Sequence, residues 1–320
     1  MKRNKTVVLV TAIGTITATA IIQKLLEEQE RFYIIGADIN PANQIVSSKD
    51  VDEFYVFPSS VKNQDQYRDF VLAFCKEHEV EYLFPVIDEE VVDYANHRKE
   101  FEGIGVKLCI PNDRLINICH YKDVFANWIE ENIPEIAIKT YTDISVIKED
   151  DLPIFVKPIE GRASNGCRKI SNVTELQEIE NPYIYIYQRY HEGEIVTVDI
   201  IRNAIHNQMQ MLQRKELLRN KNGCGIAIET IEDKRLEDYC IKLAEKLDLH
   251  GVVNAEFFVN SNEIKIIEIN PRFSAGSMFT CMSGCNLVKN MIHIVDGESC
   301  EFGKVSIGKH FARRYETYEL

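Results

Sequence analysis

Residues 252–276 carry two carboxylates and two amides at alternating positions of an apolar stretch, with an arginine close behind. The four polar residues are Asn254, Glu256, Glu268 and Asn270. Two strands around a turn at residues 260–262 would place all four on one face of a β-hairpin, because side chains alternate between the faces of a strand. The residues expected to be buried on the opposite face are Phe257, Val259, Ile267 and Ile269.

Oxygen ligands grouped in this way suit Mg²⁺ that arrives with nucleotide phosphates. Arg272 lies two residues beyond Asn270, where a guanidinium suits a phosphoryl oxygen. The hairpin therefore predicts a site for a metal ion and a nucleotide. A solvated hairpin whose acids lie together by chance is the alternative interpretation.

Lys157 stands at the end of an apolar strand, directly before a loop of small residues with the sequence GRASNG over 161–166. Backbone N–H groups of such a loop can fold over phosphates, and the lysine adds a positive point charge. The order differs from that of the P-loop, in which GK[ST] follows the glycines. An ordinary polar turn is the alternative interpretation.

The segment YQRYHEGE over residues 187–194 lies between two predicted strands. A backbone stretch that crosses from one lobe to the next can bond an adenine edge. An acid just beyond it can hold ribose hydroxyls. A simple hinge between lobes is the alternative.

The first 110 residues alternate between short apolar runs and helical patterns. Strands are predicted at 7–12, 32–38, 53–58, 82–87 and 106–111, and helices at 16–29, 67–78 and 89–101. This alternation predicts a parallel sheet with helices on both faces. The first turn holds only Gly14, whereas dinucleotide binding needs three glycines. Asp38 stands where a ribose-binding acid would be, yet we expect a Rossmann-like scaffold that walls a substrate site.

Beyond residue 112 the patterns predict an α+β organisation. A helix at 121–132 is expected to bury Val124, Phe125, Trp128 and Ile129. Further strands are predicted at 153–157, 167–170, 183–190, 195–202, 207–212 and 226–230, with a hairpin at 252–269 and helices at 173–178, 234–247 and 287–295.

Composition excludes several classes of protein. The 320 residues include 50 acids and 37 bases, a net charge of −13 that argues against a general nucleic-acid binder. The sequence contains no run of about 18 apolar residues, so no membrane span is predicted. The N-terminus is basic and then apolar, and it is interpreted as a strand that leads into a helix rather than as a signal peptide. Nine cysteines without paired CxxC spacing predict reduced, mostly buried thiols in a cytoplasmic protein.

In their order and spacing these motifs resemble the ATP-grasp superfamily, in particular its stand-alone carboxylate–amine ligases related to the large subunit of carbamoyl-phosphate synthase. The most specific part is Glu268-Ile-Asn-Pro-Arg272, and both Val253-Asn-Ala-Glu-Phe-Phe and Phe155-Val-Lys-Pro agree with it. The resemblance implies a mixed α/β and α+β fold. It comprises a Rossmann-like pre-ATP-grasp domain at 1–111, a small ATP-grasp lobe at 112–186 and a large lobe at 187–320.

The resemblance also implies roles for individual residues. Lys122 and Lys157 are expected to contact the phosphates, and Gly161, Ser164 and Gly166 to belong to the mobile loop. Gln188 and Tyr190 are expected to line the adenine site, and Glu194 to bind the ribose. Magnesium is expected to bind Glu256, Glu268 and Asn270, and the catalytic residues are expected to be Arg272 and Lys215. Gln188 departs from the family pattern, which usually has an acid there. Lys215 belongs to a basic segment, 214–225, that either meets the acyl substrate or γ-phosphate or forms a solvated loop.

The implied activity is ATP-dependent and uses Mg²⁺, with Mn²⁺ as an alternative. A carboxylate is activated as an acyl phosphate and joined to an amine, so both partners are small molecules, and a homodimer is compatible with the resemblance. Two alternatives stay open. Instead of a complete ligase, the chain could be a fragment or nucleotide-binding subunit of a larger synthase. It could also be a phosphotransferase that uses no amine.

Overall fold

The N-terminal part of the protein is a five-stranded parallel sheet flanked by helices, as the sequence predicts. The computed structural model describes residues 5–161 and 165–320. The strands are β1 (Thr6–Val10), β2 (Phe32–Asp38), β3 (Glu53–Val56), β4 (Tyr82–Phe84) and β5 (Lys107–Leu108), in the order β3-β2-β1-β4-β5. The helices are α1 (Ile16–Leu26), α2 (Gln64–Glu77), α3 (Asp88–Asn96) and α4 (Arg98–Gly103).

Two local features of this unit follow from single residues. Thr15 caps α1 by accepting a hydrogen bond from the backbone N–H of Ala18. The single helix expected at 89–101 is instead two, because the chain leaves helical geometry at His97, with φ −118° and ψ 20°. The His97 ring lies 2.8 Å from the carbonyl oxygen of Asp93 at this break.

The carboxyl end of β1 does not form a dinucleotide site. One oxygen of Asp38 accepts the backbone N–H of Gly14 at 2.9 Å, and the other accepts that of Asn40 at 3.0 Å. Ile45 fills the remaining space, since a Cβ on Gly14 would lie 2.8 Å from its Cδ1. The turn is therefore closed by its own side chains, in agreement with the scaffold interpretation.

A four-stranded antiparallel sheet forms the second unit. Helices α5 (Asp113–His120) and α6 (Lys122–Asn132) lead into β6 (Thr140–Tyr141), β7 (Ile154–Pro158), β8 (Arg168–Ile170), α7 (Val173–Gln177) and β9 (Tyr185–Arg189), in the sheet order β6-β9-β7-β8. Helix α5 and strand β6 were not expected from the sequence. The prediction that Val124 faces inward is wrong, because 42% of it is exposed; Phe125 and Ile129 are buried as expected.

A six-stranded antiparallel sheet forms the third unit. Its elements are β10 (Glu194–Asn203), β11 (Gln208–Arg219), β12 (Gly225–Ile231), α8 (Lys234–Lys246), β13 (Gly251–Val259), β14 (Ile264–Asn270), α9 (Ser277–Met282), α10 (Leu287–Val295) and β15 (His310–Ala312), with the strand order β14-β13-β10-β11-β12-β15. Val196 and Val198 share one core with Leu236 and Leu243 of α8. Consequently Thr197 and Asp199, which alternate with the valines, face the other side of the sheet.

The N-terminal and C-terminal parts of the chain share a second core. Ile21 and Leu25 of α1 pack in one cluster with Leu287 and Met291 of α10. Phe273, which follows β14, belongs to the same cluster and lies 5.8 Å from the Phe84 ring. The parallel sheet is thereby fixed against the large sheet close to the end of the hairpin formed by β13 and β14.

All nine cysteines are unpaired, and seven of them are buried, which agrees with the expected reduced thiols. No helix among residues 5–161 and 165–320 is both long and apolar enough to cross a membrane.

Candidate active site

The three units enclose a large cleft of about 1070 Å³. Its walls come from α3 and the end of α5 on one side, from β7 and β9 above, and from β10, β11, β13 and β14 below. Residues of this cleft that bear on its chemistry are Asp88, Glu89, His120, Lys122, Lys157, Gln188, Tyr190, Arg214, Arg219, Glu256, Glu268, Asn270 and Arg272.

The two hairpin carboxylates are directly opposite each other. Glu256 on β13 pairs with Glu268 on β14, and Asn254 pairs with Asn270. Both pairs lie on the cleft side of the sheet, because the alternation of antiparallel strands keeps cross-strand partners on one face. The amide of Asn270 lies 3.4 Å from Oε1 of Glu268. The expected grouping of three oxygen-bearing side chains is therefore present in the structure.

A β-bulge alters the prediction for the buried face of this hairpin. The register shifts by one residue after Glu256, so that Phe257 pairs with Ile266 and Ile267 becomes the extra residue. Ile266 joins the core, whereas Ile267 is only partly buried, contrary to expectation. Phe257, Val259 and Ile269 are buried as predicted.

The electrostatics of the carboxylate pair favour a bound cation. Burial and the neighbouring Glu268 raise the pKa of Glu256 to about 7. Arg219 opposes this shift, since its Nη2 lies 2.9 Å from Oε2 of Glu256. In the described part of the chain no three His, Cys, Asp or Glu side chains converge on a metal site. The residues that fit Mg²⁺ are thus two carboxylates and the Asn270 amide oxygen, with phosphate oxygens left to complete its shell.

Lys157 is a buried cation without a counter-ion. Only 8% of the residue is exposed, and among the described residues its ammonium has neither a hydrogen bond nor an ion pair. Burial lowers the pKa of Lys157, while Glu268 acts in the opposite direction. An anionic ligand in the cleft would supply the missing negative charge, so the environment of Lys157 fits a nucleotide phosphate.

A second lysine, Lys122, contacts the start of the loop that follows β7. Nζ of Lys122, at the start of α6, donates to the carbonyl oxygen of Gly161 at 3.0 Å. Gly161 and Gly166 have φ angles of 146° and 75°, which favour glycine, and a Cβ on Gly166 would lie 3.0 Å from Pro158. Ser164, also assigned to this loop from the sequence, lies outside the described residues.

The two residues expected at an adenine site, Gln188 and Tyr190, both line the cleft. Gln188 is buried, and its Nε2 donates to the Thr140 hydroxyl at 3.1 Å. Oε1 of Gln188 is buried without any hydrogen-bond partner, which leaves one acceptor for a ligand such as the adenine amino group. The Tyr190 ring is covered by Nζ of Lys169 at 3.8 Å from its centroid.

The structure does not bring Glu194 and Lys215 to the cleft. The two side chains form an ion pair with each other on the opposite face of the large sheet. The reason is strand alternation: Glu194 shares its face of β10 with the core residue Val196, and Lys215 is the register partner of Val196 on β11. Neither the predicted ribose contact of Glu194 nor the predicted catalytic role of Lys215 is supported by this placement.

Arg272 lies at the cleft but is held by the N-terminal unit. Its Nε and Nη2 donate to the two carboxylate oxygens of Asp88 at 2.7 Å and 3.1 Å, and Nη2 also donates to Oδ1 of Asn270 at 3.2 Å. Burial alone would lower the pKa of the Arg272 guanidinium, but Asp88, Glu268 and Glu256 raise it above its ordinary value. The arginine therefore joins the β13–β14 hairpin to α3.

Sequence reasoning did not single out Asp88, Arg219 or Arg214. Asp88 follows the carboxyl end of the parallel strand β4, a position where ligand-binding residues often lie, so a signal for it existed. Arg214 and Arg219 belong to the basic segment 214–225, and both line the cleft, whereas Lys215 of the same segment does not. Whether a basic side chain of this segment lines the cleft therefore depends on the face of β11 from which it projects.

Arg214 and Asp199 form a buried ion pair beneath the cleft floor. Asp199 also accepts hydrogen bonds from Asn254 at 2.8 Å, Ser274 at 2.9 Å and Thr280 at 2.6 Å. Burial would raise the pKa of Asp199, but these partners hold it below the ordinary value. This network fixes the end of β13 against the loop that follows β14, and so supports the geometry of the hairpin.

Comparison with known proteins gives two family matches. Residues 119–276 match the model of the ATP-grasp domain, and residues 8–109 match the PylC-like N-terminal domain. A curated relative is the arginine-specific large chain of carbamoyl phosphate synthase from Bacillus subtilis, 21% identical over 221 residues. That alignment covers 61% of this chain but only 22% of the relative, so the chain spans about a fifth of that protein's length.

Solved structures share the fold. A biotin carboxylase from Campylobacter jejuni, in complex with an ATP derivative, superimposes with a TM-score of 0.76 at 16% identity, over 95% of this chain and 74% of the other. An L-amino acid ligase from Bacillus licheniformis superimposes with a TM-score of 0.71 at 11% identity, over 92% and 75%. The expected fold, a parallel-sheet domain followed by a two-lobed ATP-grasp domain, is confirmed.

Proposed function

Because this chain carries an ATP-grasp domain behind a PylC-like N-terminal domain, we propose that it is an ATP- and Mg²⁺-dependent ligase, which activates a carboxylate as an acyl phosphate and joins it to an amine. The observation that carries the proposal is the cross-strand carboxylate pair Glu256–Glu268 in one cleft with the unpaired cation Lys157. The family match and the likeness to ligases and carboxylases support it from a second direction.

The chemistry requires activation because a carboxylate would have to expel oxide to react directly with an amine. Phosphorylation makes phosphate the leaving group. The protein must then position the reactants, offset charge on the phosphoryl group, and keep water from the labile acyl phosphate. A cleft closed between two lobes by a glycine-containing loop is suited to these tasks.

The side chains of the cleft divide this work. Glu256, Glu268 and the amide oxygen of Asn270 would hold Mg²⁺, which offsets charge on the transferring phosphoryl group. Lys157 binds a nucleotide phosphate, and Gln188 offers its unpartnered oxygen to the adenine edge. Lys122, which holds the Gly161 carbonyl, links the phosphate region to the loop.

Arg272 has the central role in handling the intermediate. Its guanidinium is oriented by Asp88 and lies next to the Asn270 amide. A guanidinium in this place neutralises the acyl phosphate after transfer and holds it for attack by the amine.

The proposal includes domain limits and a compartment. The three sheets fall within residues 6–108, 140–189 and 194–312. These ranges support a first boundary at 111/112. The second boundary moves from 186/187 to between residues 189 and 194, because β9 (Tyr185–Arg189) belongs to the four-stranded sheet. Nine unpaired thiols support a reducing, cytoplasmic environment.

The decisive experiment is a screen of Mg²⁺-dependent ADP release against a panel of carboxylates crossed with amines. Hydroxylamine in place of the amine should trap the acyl phosphate as a hydroxamate. Oxygen-18 in the carboxylate should appear in the released phosphate. Absence of the label from phosphate would overturn the acyl-phosphate step, and ADP release that needs no amine and leaves a stable phosphorylated product would indicate a phosphotransferase.

A further inference from the structure

His120 is a half-buried imidazole on the wall of the cleft, at the last position of α5. Its electrostatic neighbours come from three elements: Asp88 and Glu89 of α3, Glu160 after β7, and Lys122 of α6. Tyr121 approaches the ring edge-on, at 4.7 Å between centroids. The ring thus stands where the N-terminal unit, the small lobe and the phosphate-binding loop meet.

Of the three histidines that line the cleft, His120 is the one whose ring has no hydrogen bond within the described residues. Nδ1 of His97 lies 2.8 Å from the carbonyl oxygen of Asp93, and Nδ1 of His191 lies 3.2 Å from Glu263. Both nitrogens of His120 are therefore available to a molecule in the cleft.

The position of His120 relative to Arg272 indicates which substrate it meets. Asp88 is a charged neighbour of His120 and at the same time grips Arg272 through two hydrogen bonds. Arg272 in turn contacts the metal-ligand residue Asn270. His120 therefore lies near Arg272 through their common neighbour Asp88, in the same cleft, where a nucleophile can approach an acyl phosphate held by Arg272.

Three other ionisable groups of the cleft are already engaged. Asp88 is engaged by Arg272, Glu216 accepts the Thr197 hydroxyl at 2.7 Å, and Glu256 is paired with Arg219. A proton that leaves the nucleophile needs an acceptor with a free lone pair, and a neutral imidazole provides one.

We propose that His120 is the base that takes the proton from the ammonium form of the amine substrate; this rests on the proposed ligase function. The ammonium gives one proton to a ring nitrogen of His120. The neutral amine then forms the C–N bond at the acyl carbon, the C–O bond to phosphate breaks, and phosphate leaves with the electron pair and takes the second nitrogen-bound proton.

The protonation state of His120 agrees with this role. Burial lowers the pKa of the imidazole, and Lys122 acts in the same direction, while Asp88, Glu160 and Glu89 oppose them. The net shift is downward, so the ring is neutral at neutral pH and can accept a proton. Amide formation should decline as pH falls through the lowered pKa of His120.

The test separates activation of the carboxylate from attack by the amine. His120→Gln is compared with the wild-type protein in two assays that use a carboxylate found in the screen. One assay measures hydroxamate formed with hydroxylamine, which is already neutral at neutral pH. The other measures amide formed with ammonia or with the twenty standard amino acids as probes. His310→Gln, at an exposed position of β15, is the matched control.

We expect His120→Gln to lose amide formation by on the order of 100-fold, the usual size of a general-base contribution, while hydroxamate formation stays within about twofold. The acidic limb of the wild-type pH profile should also disappear in the variant. Equal losses in both assays, or undiminished amide formation, would overturn the role of His120. No hydroxamate from the wild-type protein would instead overturn the proposed ligase function.

Discussion

Asp88 and Arg272, 184 residues apart in the chain, form a two-pronged ion pair that joins the N-terminal domain to the end of the β13–β14 hairpin. The pair is partly buried, with 20% of the arginine side chain and 24% of the aspartate side chain exposed. A guanidinium fixed by two parallel hydrogen bonds has little rotational freedom. The N-terminal domain therefore supplies a group that orients the residue proposed to hold the acyl phosphate.

Replacing Asp88 tests this orienting role. Asp88→Asn keeps the shape of the side chain but removes the charge and one of the two acceptor oxygens, so we expect hydroxamate formation to fall about tenfold or more. Affinity for Mg·ATP should hardly change, because Asp88 does not lie among the proposed nucleotide contacts. Asp88→Glu, which retains the carboxylate, should recover part of the rate. A large loss of Mg·ATP affinity in Asp88→Asn would point to general misfolding of the cleft.

Loss of one anionic metal ligand should abolish turnover without unfolding the protein. Glu268→Gln removes half of the carboxylate pair, and we expect ADP release to fall by on the order of 100-fold or more. Circular dichroism and the melting temperature should stay near those of the wild-type protein. Glu245→Gln, at an exposed position on α8, provides the control and should be fully active. Retained activity in folded Glu268→Gln would mean that the hairpin acids are only a solvated face.

Nucleotide binding should appear as thermal stabilisation that depends on the metal. Mg·ATP at about 100 times its Kd should add roughly 2.7 kcal/mol to the free energy of unfolding. Differential scanning fluorimetry should show a rise in melting temperature with Mg·ATP and a much smaller rise with ATP and EDTA. NAD should have no effect, because Asp38 and Ile45 close the turn after β1. A shift with NAD alone would contradict the nucleotide assignment.

Lys157 should be required for binding but not for stability. Within residues 5–161 and 165–320 its buried ammonium has no counter-ion, so Lys157→Met should melt at the same temperature as the wild-type protein or higher. The same variant should lose about tenfold or more in affinity for Mg·ATP, since the phosphate loses its cationic partner. Isothermal titration calorimetry and thermal melts together check both halves. A strongly destabilised Lys157→Met would show that the ammonium has a structural partner.

Because of Glu90, the free energy of unfolding should fall as pH rises above the ordinary pKa of a glutamate. The buried carboxyl group of Glu90 accepts a hydrogen bond from the Thr11 hydroxyl at 2.5 Å and another from the Tyr67 hydroxyl. Burial raises the pKa of Glu90 despite these hydrogen bonds. The folded state therefore binds the proton more tightly than the unfolded state, and this contribution is present at low pH and lost as pH rises from about 4.5 towards the raised pKa.

The matched variant for this effect is Glu90→Gln, which keeps hydrogen-bonding groups next to both hydroxyls. Urea denaturation at pH 5 and pH 8 should show that the wild-type protein loses more stability than Glu90→Gln between the two. Parallel pH profiles for the two proteins would mean that Glu90 keeps its ordinary pKa.

The sequence by itself determined the parts of the site that depend on local periodicity. Alternation along β13 and β14 placed Glu256, Glu268 and Asn270 on one face without knowledge of the rest of the chain. Lys157 likewise follows a short apolar strand, and its position before a loop of small residues is a local property. The order of strands and helices was also readable, because burial on one face or on both imposes a distinct spacing of apolar residues.

Only the tertiary structure decided relations between distant segments and between the faces of a long strand. The sequence could not reveal that Asp88 grips Arg272, since docking of the N-terminal domain against the large sheet brings them together. Glu194 and Lys215 were assigned to the site by resemblance, yet the pleat of β10 and β11 turns them to the opposite face. A side chain's direction depends on the register with neighbouring strands, and that register is set by packing of the whole sheet.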